Sequence, residues 1–172
     1  MEVVEYSVNW KTWFEIEKKH LEKLILGIEI VEHVGSTSIP GQESKPIVDI
    51  FVGVRELLSV EEYRKILGDS YDYIDAGMAA RHLFHKVEET SREFNVHLLP
   101  FDESFFERNE FMFRDYLLSH HELVEEYGKI KQDLIKKFGY TREYTFAKTP
   151  FIQRVVDMAR TEKGLELQDV WE

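Results

Sequence analysis

A short stretch of the chain combines small, hydroxyl-bearing residues with a nearby carboxylate. Gly35, Ser36, Thr37 and Ser38 follow an apolar run, and Asp49 stands in the apolar segment that comes next. A glycine turn that offers hydroxyls and free backbone N–H groups has the chemistry that cradles a phosphate. We therefore predict that these four turn residues bind phosphate. The alternative for Ser36 and Thr37 is that their hydroxyls satisfy nearby backbone groups.

Asp49 is a lone carboxylate in a half-buried strand, which costs free energy unless the charge has a partner. We predict that Asp49 is functional, as a ligand of a divalent metal ion. The alternative is an ion pair with Lys45, Arg81 or Lys86. His97 lies on the polar face of a later predicted strand. We predict that His97 is the second metal ligand or the general base, and the alternative is a half-buried histidine whose ring is satisfied by its neighbours.

Charge is distributed unevenly along the chain. The whole chain holds 22 Lys and Arg against 33 Asp and Glu, a formal net charge of −11. Residues 127–160 reverse this balance, with eight basic and three acidic residues. We interpret that stretch as a wall that receives an anionic substrate, or else as a solvated helix face in which Lys148 is an ordinary surface lysine. The cations that we expect to face a polyphosphate or an acidic substrate are Lys45, Lys86, Arg114 and Lys148.

Composition argues against several classes of protein. Without cysteine there is no thiol nucleophile and no cysteine-based zinc site, which fits a reducing compartment. The net negative charge argues against broad binding to nucleic acid or anionic lipid. No apolar run approaches the roughly 18 residues of a membrane span, and the acidic N-terminus does not resemble a signal peptide. We expect a cytoplasmic protein with no nucleic acid partner and no membrane partner, while its oligomeric state stays open.

The pattern of apolar residues predicts strands in the first two thirds of the chain and helices after them. Helical spacing from Trp10 to Ile25 indicates a first amphipathic helix, and capping boxes at Ser59–Glu62 and Ser119–Glu122 open two more. The predicted strands cover about residues 28–34, 45–52, 71–74, 81–87 and 94–99. Helices are also predicted at 105–118 and 141–160, the last with a kink or restart at Pro150. We predict one α/β (α+β) domain over residues 1–172.

Motifs along nearly the whole chain match those of a known family. They begin with the segment His33–Gly41 and with Lys45–Ile50, which follows it. They continue in Phe113–Leu117, in the spacing of Tyr127, Lys131 and Leu134, and in the pattern of Tyr144, Lys148, Phe151 and Ile152. These motifs resemble those of the GrpB family of bacterial proteins. The resemblance implies a nucleotidyltransferase-like fold, a short mixed β-sheet flanked by helices with a helical C-terminal third.

The resemblance also implies a chemistry. In that superfamily a Gly-Ser turn holds the phosphates of a nucleotide, while carboxylates on neighbouring strands hold divalent metal ions. Gly35 and Ser36 match the turn, Asp49 matches the first acidic position, and Lys45 would join Ser36 on phosphate. The implied cofactor is Mg²⁺ or Mn²⁺, although with His97 as the second ligand a softer ion such as Mn²⁺ or Zn²⁺ would be accepted better than Mg²⁺. The implied function is binding of a nucleotide or phosphorylated small molecule and transfer of a nucleotidyl group to a small acceptor.

Phe51 departs from the superfamily pattern. It stands two residues after Asp49, where the fold should carry a second acid, and a phenyl ring cannot ligate a metal ion. The second hypothesis is therefore a non-catalytic nucleotide- or phosphate-binding module, a degenerate nucleotidyltransferase with an accessory metabolic role. Families of this kind also occur fused to a coenzyme A biosynthetic kinase, so the resemblance extends to an accessory role in coenzyme metabolism.

Overall fold

The computed structural model describes residues 2–78 and 80–170 and contains a five-stranded mixed sheet with helices packed on both faces. The strands are β1 (Ile28–Val34), β2 (Ile47–Val54), β3 (Asp72–Ile74), β4 (His82–Val87) and β5 (Glu93–Pro100). The helices are α1 (Asn9–Leu24), α2 (Val60–Leu67), α3 (Asn109–Ser119), α4 (His121–Phe138), α5 (Arg142–Ala147) and α6 (Thr149–Glu162). The predicted α/β class with a helical C-terminal third is confirmed.

The strands lie in the order β1-β2-β5-β4-β3, with β2 and β5 parallel and the other neighbours antiparallel. In the parallel pair Asp49 lies opposite Asn95, and Phe51 lies opposite His97. Because side chains alternate along a strand, these four residues point to the same side of the sheet. We call this side the site face.

The opposite face of the sheet forms the main apolar core. Val48, Ile50 and Val52 of β2 are buried there against α1 and α2, with Trp10 and Tyr63 among their partners. A register shift of one residue would move these side chains to the site face and bury the Asp49 carboxylate in the core. Packing of this face therefore fixes the direction in which Asp49 points.

The C-terminal helices share a separate apolar core, in which the rings of Tyr127 and Phe151 stack with centroids 4.8 Å apart. Ile39, which follows the short 3-10 helix Ser36–Ser38, is buried in the same cluster. This contact ties the turn between β1 and β2 to α4 and α6. Across residues 2–78 and 80–170, no helix is both long enough and apolar enough to cross a bilayer.

Gly35 brings the turn against the Asp49 carboxylate. Its φ of 71° lies in the region that favours glycine, and its ψ is −178°. A Cβ atom at this position would lie 2.4 Å from Asp49 Oδ2, much closer than a van der Waals contact. Both the backbone conformation and the available space therefore require glycine here.

The structure confirms one predicted capping box and corrects the other. The Ser59 Oγ accepts from the Glu62 backbone N–H at 3.3 Å, and the Glu62 carboxylate accepts from the Ser59 backbone N–H at 2.9 Å. Ser119 instead ends α3, and His120 occupies the N-cap position of α4 without a side-chain capping bond. The prediction failed because the two helices follow each other so closely that Ser119 is still helical.

Lys86 does not reach the site face, which corrects its predicted placement toward an anionic ligand. It pairs with Phe94 across the sheet and faces the main core. Its ammonium donates to Glu17 Oε2 at 2.6 Å, and the Tyr71 hydroxyl donates to the other oxygen of the same carboxylate. Glu17 is only 1% exposed, so Lys86 serves as the counter-charge of a buried acid.

Replacing Lys86 with methionine should lower the free energy of unfolding by about 3 kcal/mol or more, because Glu17 would remain buried without its cation. Chemical denaturation followed by circular dichroism measures this change. Lys19 on α1 is exposed and provides the control, since Lys19→Met removes the same charge and should stay within about 0.5 kcal/mol of the parent. Equal stability of the two variants would contradict the buried pair.

Gly35→Ala should destabilise the protein more than Gly27→Ala. Both glycines have positive φ, 71° and 78°, so each substitution strains the backbone. A Cβ atom at position 27 meets nothing within 4 Å, whereas at position 35 it meets Asp49. We expect this clash to cost about 1–3 kcal/mol beyond the loss in Gly27→Ala, as measured by urea denaturation. Equal losses in the two variants would contradict the close approach to Asp49.

Candidate functional site

A cleft of about 180 Å³ opens on the site face beside Asp49. Its walls come from the turn after β1, the first halves of β2 and β5, and the C-terminal helices. Its cations are Lys45, Lys131 and Lys148, and we therefore call it the lysine cleft. Of the predicted site residues, Ser36, Asp49, Lys45 and Lys148 are brought together here.

Local sequence places the lysines on this cleft. Lys131 lies one helical turn after Tyr127 on the inner face of α4, and both side chains are buried. Pro150 cannot continue a preceding helix, so α5 ends before it and α6 restarts with the proline in its first turn. Lys148 sits at this predicted break. Lys45 reaches the cleft from the loop before β2.

The ammonium groups of two of these lysines lie where water solvates them poorly. Lys131 is 3% exposed, and burial together with the neighbouring Lys148 cation lowers its pKa to about 7. Burial and the Lys45 cation lower the pKa of Lys148 to about 8, against the opposing influence of Asp49. Each ammonium is thus destabilised by low solvation and by another cation. The residues that line the cleft include three lysines and one carboxylate, and the charge of Glu43, which is not a lining residue, acts on Lys131 in the opposite direction.

Contacts with aromatic rings offset part of the cost of burying the lysine charges. The cation–ring distances are 5.3 Å from Lys45 to Tyr140, 5.8 Å from Lys45 to Tyr144, 4.5 Å from Lys131 to Tyr127 and 4.6 Å from Lys148 to Tyr144. The Lys131 ammonium also donates to the backbone carbonyl of Glu43. Such contacts contribute about 0.5–2 kcal/mol each but bring no formal negative charge.

Asp49 is held by an amide and not by the ion pairs considered from the sequence. Its Oδ1 accepts from Asn95 Nδ2 at 2.8 Å. Burial raises the pKa of the Asp49 carboxyl to about 6, with Glu110 adding to the rise and the Asn95 hydrogen bond opposing it. Arg81 instead binds Glu110 at 2.8 Å. The Asp49 carboxyl therefore titrates close to neutral pH beside the lysines.

The hydroxyls of the turn have different partners. Thr37 is buried and donates to a backbone carbonyl of β2 at 3.2 Å, and Ser38 donates to the Gly35 carbonyl at 2.6 Å. Thr37 thus follows the alternative in which its hydroxyl satisfies the local backbone, and Ser38, predicted to bind phosphate, has the same kind of partner. The Ser36 hydroxyl lies close enough to the Tyr127 phenol to oppose the rise in its pKa, and Ser36 lines the lysine cleft. Ser36 is the turn hydroxyl that this geometry offers to a ligand.

His97 lies next to Phe51 and not beside Asp49. The centroids of its ring and the Phe51 ring are 5.1 Å apart, and His97 does not line the lysine cleft. Burial lowers the pKa of His97 to about 3, so its imidazole is neutral at ordinary pH. Its Nδ1 is buried with no hydrogen-bond partner among the described residues.

The two predicted metal ligands, Asp49 and His97, do not come together as a site for Mg²⁺ or Mn²⁺. The position that should hold a second acid carries Phe51, which is 1% exposed, and Asn95 lies opposite Asp49 on β5. Within the part of the chain that the structure describes, no group of three His, Asp or Glu side chains is arranged to hold a metal ion. Mg²⁺ needs oxygen ligands, usually carboxylates, and the charges of the nearby lysines would repel a metal cation. The metal roles of Asp49 and His97 stay predictions.

Arg114 supports the turn from another side. Its guanidinium donates to Glu32 Oε2 and to the His33 carbonyl, both at 2.8 Å, and also pairs with Asp115. These bonds clamp the end of β1 onto α3. Arg114 lines a different cleft, between α1 and the turn, so it does not join Lys45 and Lys148 at Asp49.

Seven residues that line the lysine cleft were not predicted as site residues: Val3, Ser44, Ile47, Asn95, Tyr127, Lys131 and Tyr144. The signal for Lys131 was its position on the apolar stripe of α4, where a lysine must be buried or snorkel. Asn95 shares a strand face with His97, so the alternation of side chains along the strand made Asn95 as good a candidate site residue as His97. The basic stretch 127–160 was interpreted either as the wall of an anion site or as a solvated helix face. It contains both kinds of lysine, because Lys131 lines the cleft while Lys129 is exposed.

Comparison with known proteins shows where this chain belongs. The family model described as "GrpB protein" matches residues 1–158. The UPF0157 protein YqkA of Bacillus subtilis is 34% identical over 95% of this chain and 49% of that protein. The glutamate-rich protein GrpB of Alkalihalophilus pseudofirmus is 29% identical over 90% of this chain and 93% of that protein. The chain thus spans about half the length of YqkA but most of the length of this GrpB protein.

A solved structure shares the fold. The crystal structure of conserved protein GrpB from Enterococcus faecalis matches with a TM-score of 0.83 and 28% identity, covering 95% of this chain and 99% of that chain. The fold is consistent with the nucleotidyltransferase-like architecture that the sequence predicted. The match to the family model and the shared fold lead to one conclusion: this chain belongs to the GrpB family.

Proposed function

We propose that this chain binds a nucleotide or another phosphorylated small molecule in the lysine cleft. One observation carries the proposal: Lys45, Lys131 and Lys148 converge on a cleft whose described lining residues include a single acid, Asp49. A ligand with two or more negative charges would balance this excess. Phosphate groups meet the requirement and accept several hydrogen bonds at once.

The lowered lysine pKa values explain why an anion would bind. Lys131 and Lys148, with pKa values of about 7 and 8, are destabilised as cations in the free protein. A bound phosphate would stabilise their charged forms, and each charge-assisted hydrogen bond contributes about 1.5–3 kcal/mol. The Ser36 hydroxyl lies on the same cleft and adds a donor. Lysines thus replace a metal ion as the source of positive charge.

Nucleotidyl transfer is a second candidate, favoured by the position of Asp49 and by its raised pKa. Its pKa of about 6 and its place beside the lysines suit a general base. In that reaction an acceptor oxygen bonds to the α-phosphorus while the bond to pyrophosphate breaks. Asp49 takes the proton of the acceptor hydroxyl, and pyrophosphate leaves with its charge against Lys131 and Lys148. Without this step the chain would be a binding module with an accessory metabolic role.

Thermal unfolding with ATP, CTP, GTP, UTP and inorganic tripolyphosphate tests the proposal, each measured with EDTA, Mg²⁺ and Mn²⁺. A ligand at 100 times its dissociation constant should add about 2.7 kcal/mol, or roughly 5–10 °C in the unfolding midpoint. We expect stabilisation with EDTA present. Stabilisation that requires metal and disappears in Asp49→Asn would support metal-dependent transfer instead. No response to any of the five anions would contradict binding at this cleft.

Matched lysine variants locate the binding site. Lys131→Met and Lys148→Met should weaken binding at least about 10-fold, because each removes a charge-assisted hydrogen bond. Neither should lower the unfolding midpoint of the free protein much, since each also removes a desolvated cation. Lys129 on α4 is exposed, so Lys129→Met is the control with the same change in net charge. An equal loss of affinity in Lys129→Met would show non-specific attraction and refute the site.

A further inference from the structure

A second cleft, of about 250 Å³, adjoins the lysine cleft on the site face. The residues that line both clefts are Ser36, Asp49 and Tyr127. Beyond these shared residues the second cleft is lined by Gly35, Asn109, Glu110, Phe113, Ile152 and Val170. We call it the Glu110 cleft. One ligand could therefore extend from the lysines past Asp49 into the Glu110 cleft.

The chemistry of the Glu110 cleft differs from that of the lysine cleft. No lysine or arginine occurs among its described lining residues, which instead include a carboxylate, an amide and apolar side chains. Arg81 binds Glu110 Oε1 at 2.8 Å and thereby holds the carboxylate in a fixed orientation. The cleft therefore offers fixed acceptors beside an apolar wall.

Charge disfavours a second phosphate in the Glu110 cleft. Glu110 lies near enough to Asp49 to raise the pKa of that carboxyl, so an anion placed there would meet two acids, although Arg81 offsets the charge of Glu110. Phe113 and Ile152 would pack against a ring or hydrocarbon, while Glu110 would accept hydrogen bonds from hydroxyl or amino groups. Together the two clefts reach the lower part of the range of small-molecule sites, about 300–1,000 Å³.

We propose that the Glu110 cleft binds the uncharged, hydroxyl- and amino-bearing half of the ligand whose phosphates occupy the lysine cleft, an inference that rests on the proposed function. Glu110 selects this half by accepting its hydrogen bonds. A nucleoside has the required chemistry, because its sugar carries hydroxyls, most bases carry an amino group or ring N–H, and the base is flat. Asp49 lies at the junction, next to the bond between the two halves.

Calorimetric titration with tripolyphosphate and with ATP, CTP, GTP and UTP tests this inference. At least one nucleotide should bind about 10-fold or more tightly than tripolyphosphate. Glu110→Gln should weaken the binding of that nucleotide about 10-fold, since it replaces a carboxylate acceptor with an amide, and should not weaken the binding of tripolyphosphate. Ile152→Trp should have the same selective effect by filling the cleft. Glu103 is exposed, so Glu103→Gln is the control for the change in charge and should leave both affinities unchanged.

The outcomes separate this inference from the proposed function. If tripolyphosphate binds and no nucleotide binds more tightly, the Glu110 cleft does not hold a nucleoside, while anion binding at the lysines stands. If Glu110→Gln and Ile152→Trp leave nucleotide affinity unchanged, or weaken nucleotide and tripolyphosphate equally, the inference is also overturned. If none of the five anions binds the parent protein, the proposed function itself fails. A thermal scan of each variant verifies that it is folded.

Discussion

The ammonium groups of Lys131 and Lys148 lie in a space where water solvates them poorly and where a third cation, Lys45, is close. A folded chain gains nothing from such an arrangement by itself, because desolvated like charges destabilise the native state. Tyrosine rings and one backbone carbonyl reduce the cost without removing it. Destabilised groups of this kind are typical of binding sites, where a ligand supplies the missing counter-charge.

The rest of the fold brings this arrangement to Asp49. The apolar face of β2 packs against α1 and α2 and so directs Asp49 to the other side of the sheet. Gly35 lets the turn lie directly against the carboxylate, and Ile39 anchors the turn in the core of the C-terminal helices. The helix break at Pro150 leaves Lys148 facing inward. Each of these is a packing contact, and together they determine which charged side chains lie next to Asp49.

Local sequence predicted those parts of the site that depend on local rules. The Gly-Ser turn, the strand around Asp49 and the break beside Lys148 follow from turn chemistry, alternation and proline geometry. Which cations reach Asp49 depends instead on strand pairing and helix packing. Lys86 pairs with Phe94 and faces the core, while Lys131 comes from a helix whose docking no local pattern specifies. Phe51 lies on the site face two residues after Asp49, where an acid was expected, and Asn95, which lies opposite Asp49 on β5, is not an acid either.

NMR titration of the lysine side-chain nitrogens tests the central claim most directly, with Lys131→Met and Lys148→Met assigning the signals. In the free protein two lysines should titrate near pH 7 and pH 8, far below an ordinary lysine. Saturating tripolyphosphate should raise both pKa values, because a bound anion stabilises the charged forms. Binding near neutral pH should accordingly take up protons. If both lysines titrate above pH 10 in the free protein, or if tripolyphosphate leaves their pKa values unchanged, the cleft is not an anion site of the kind described.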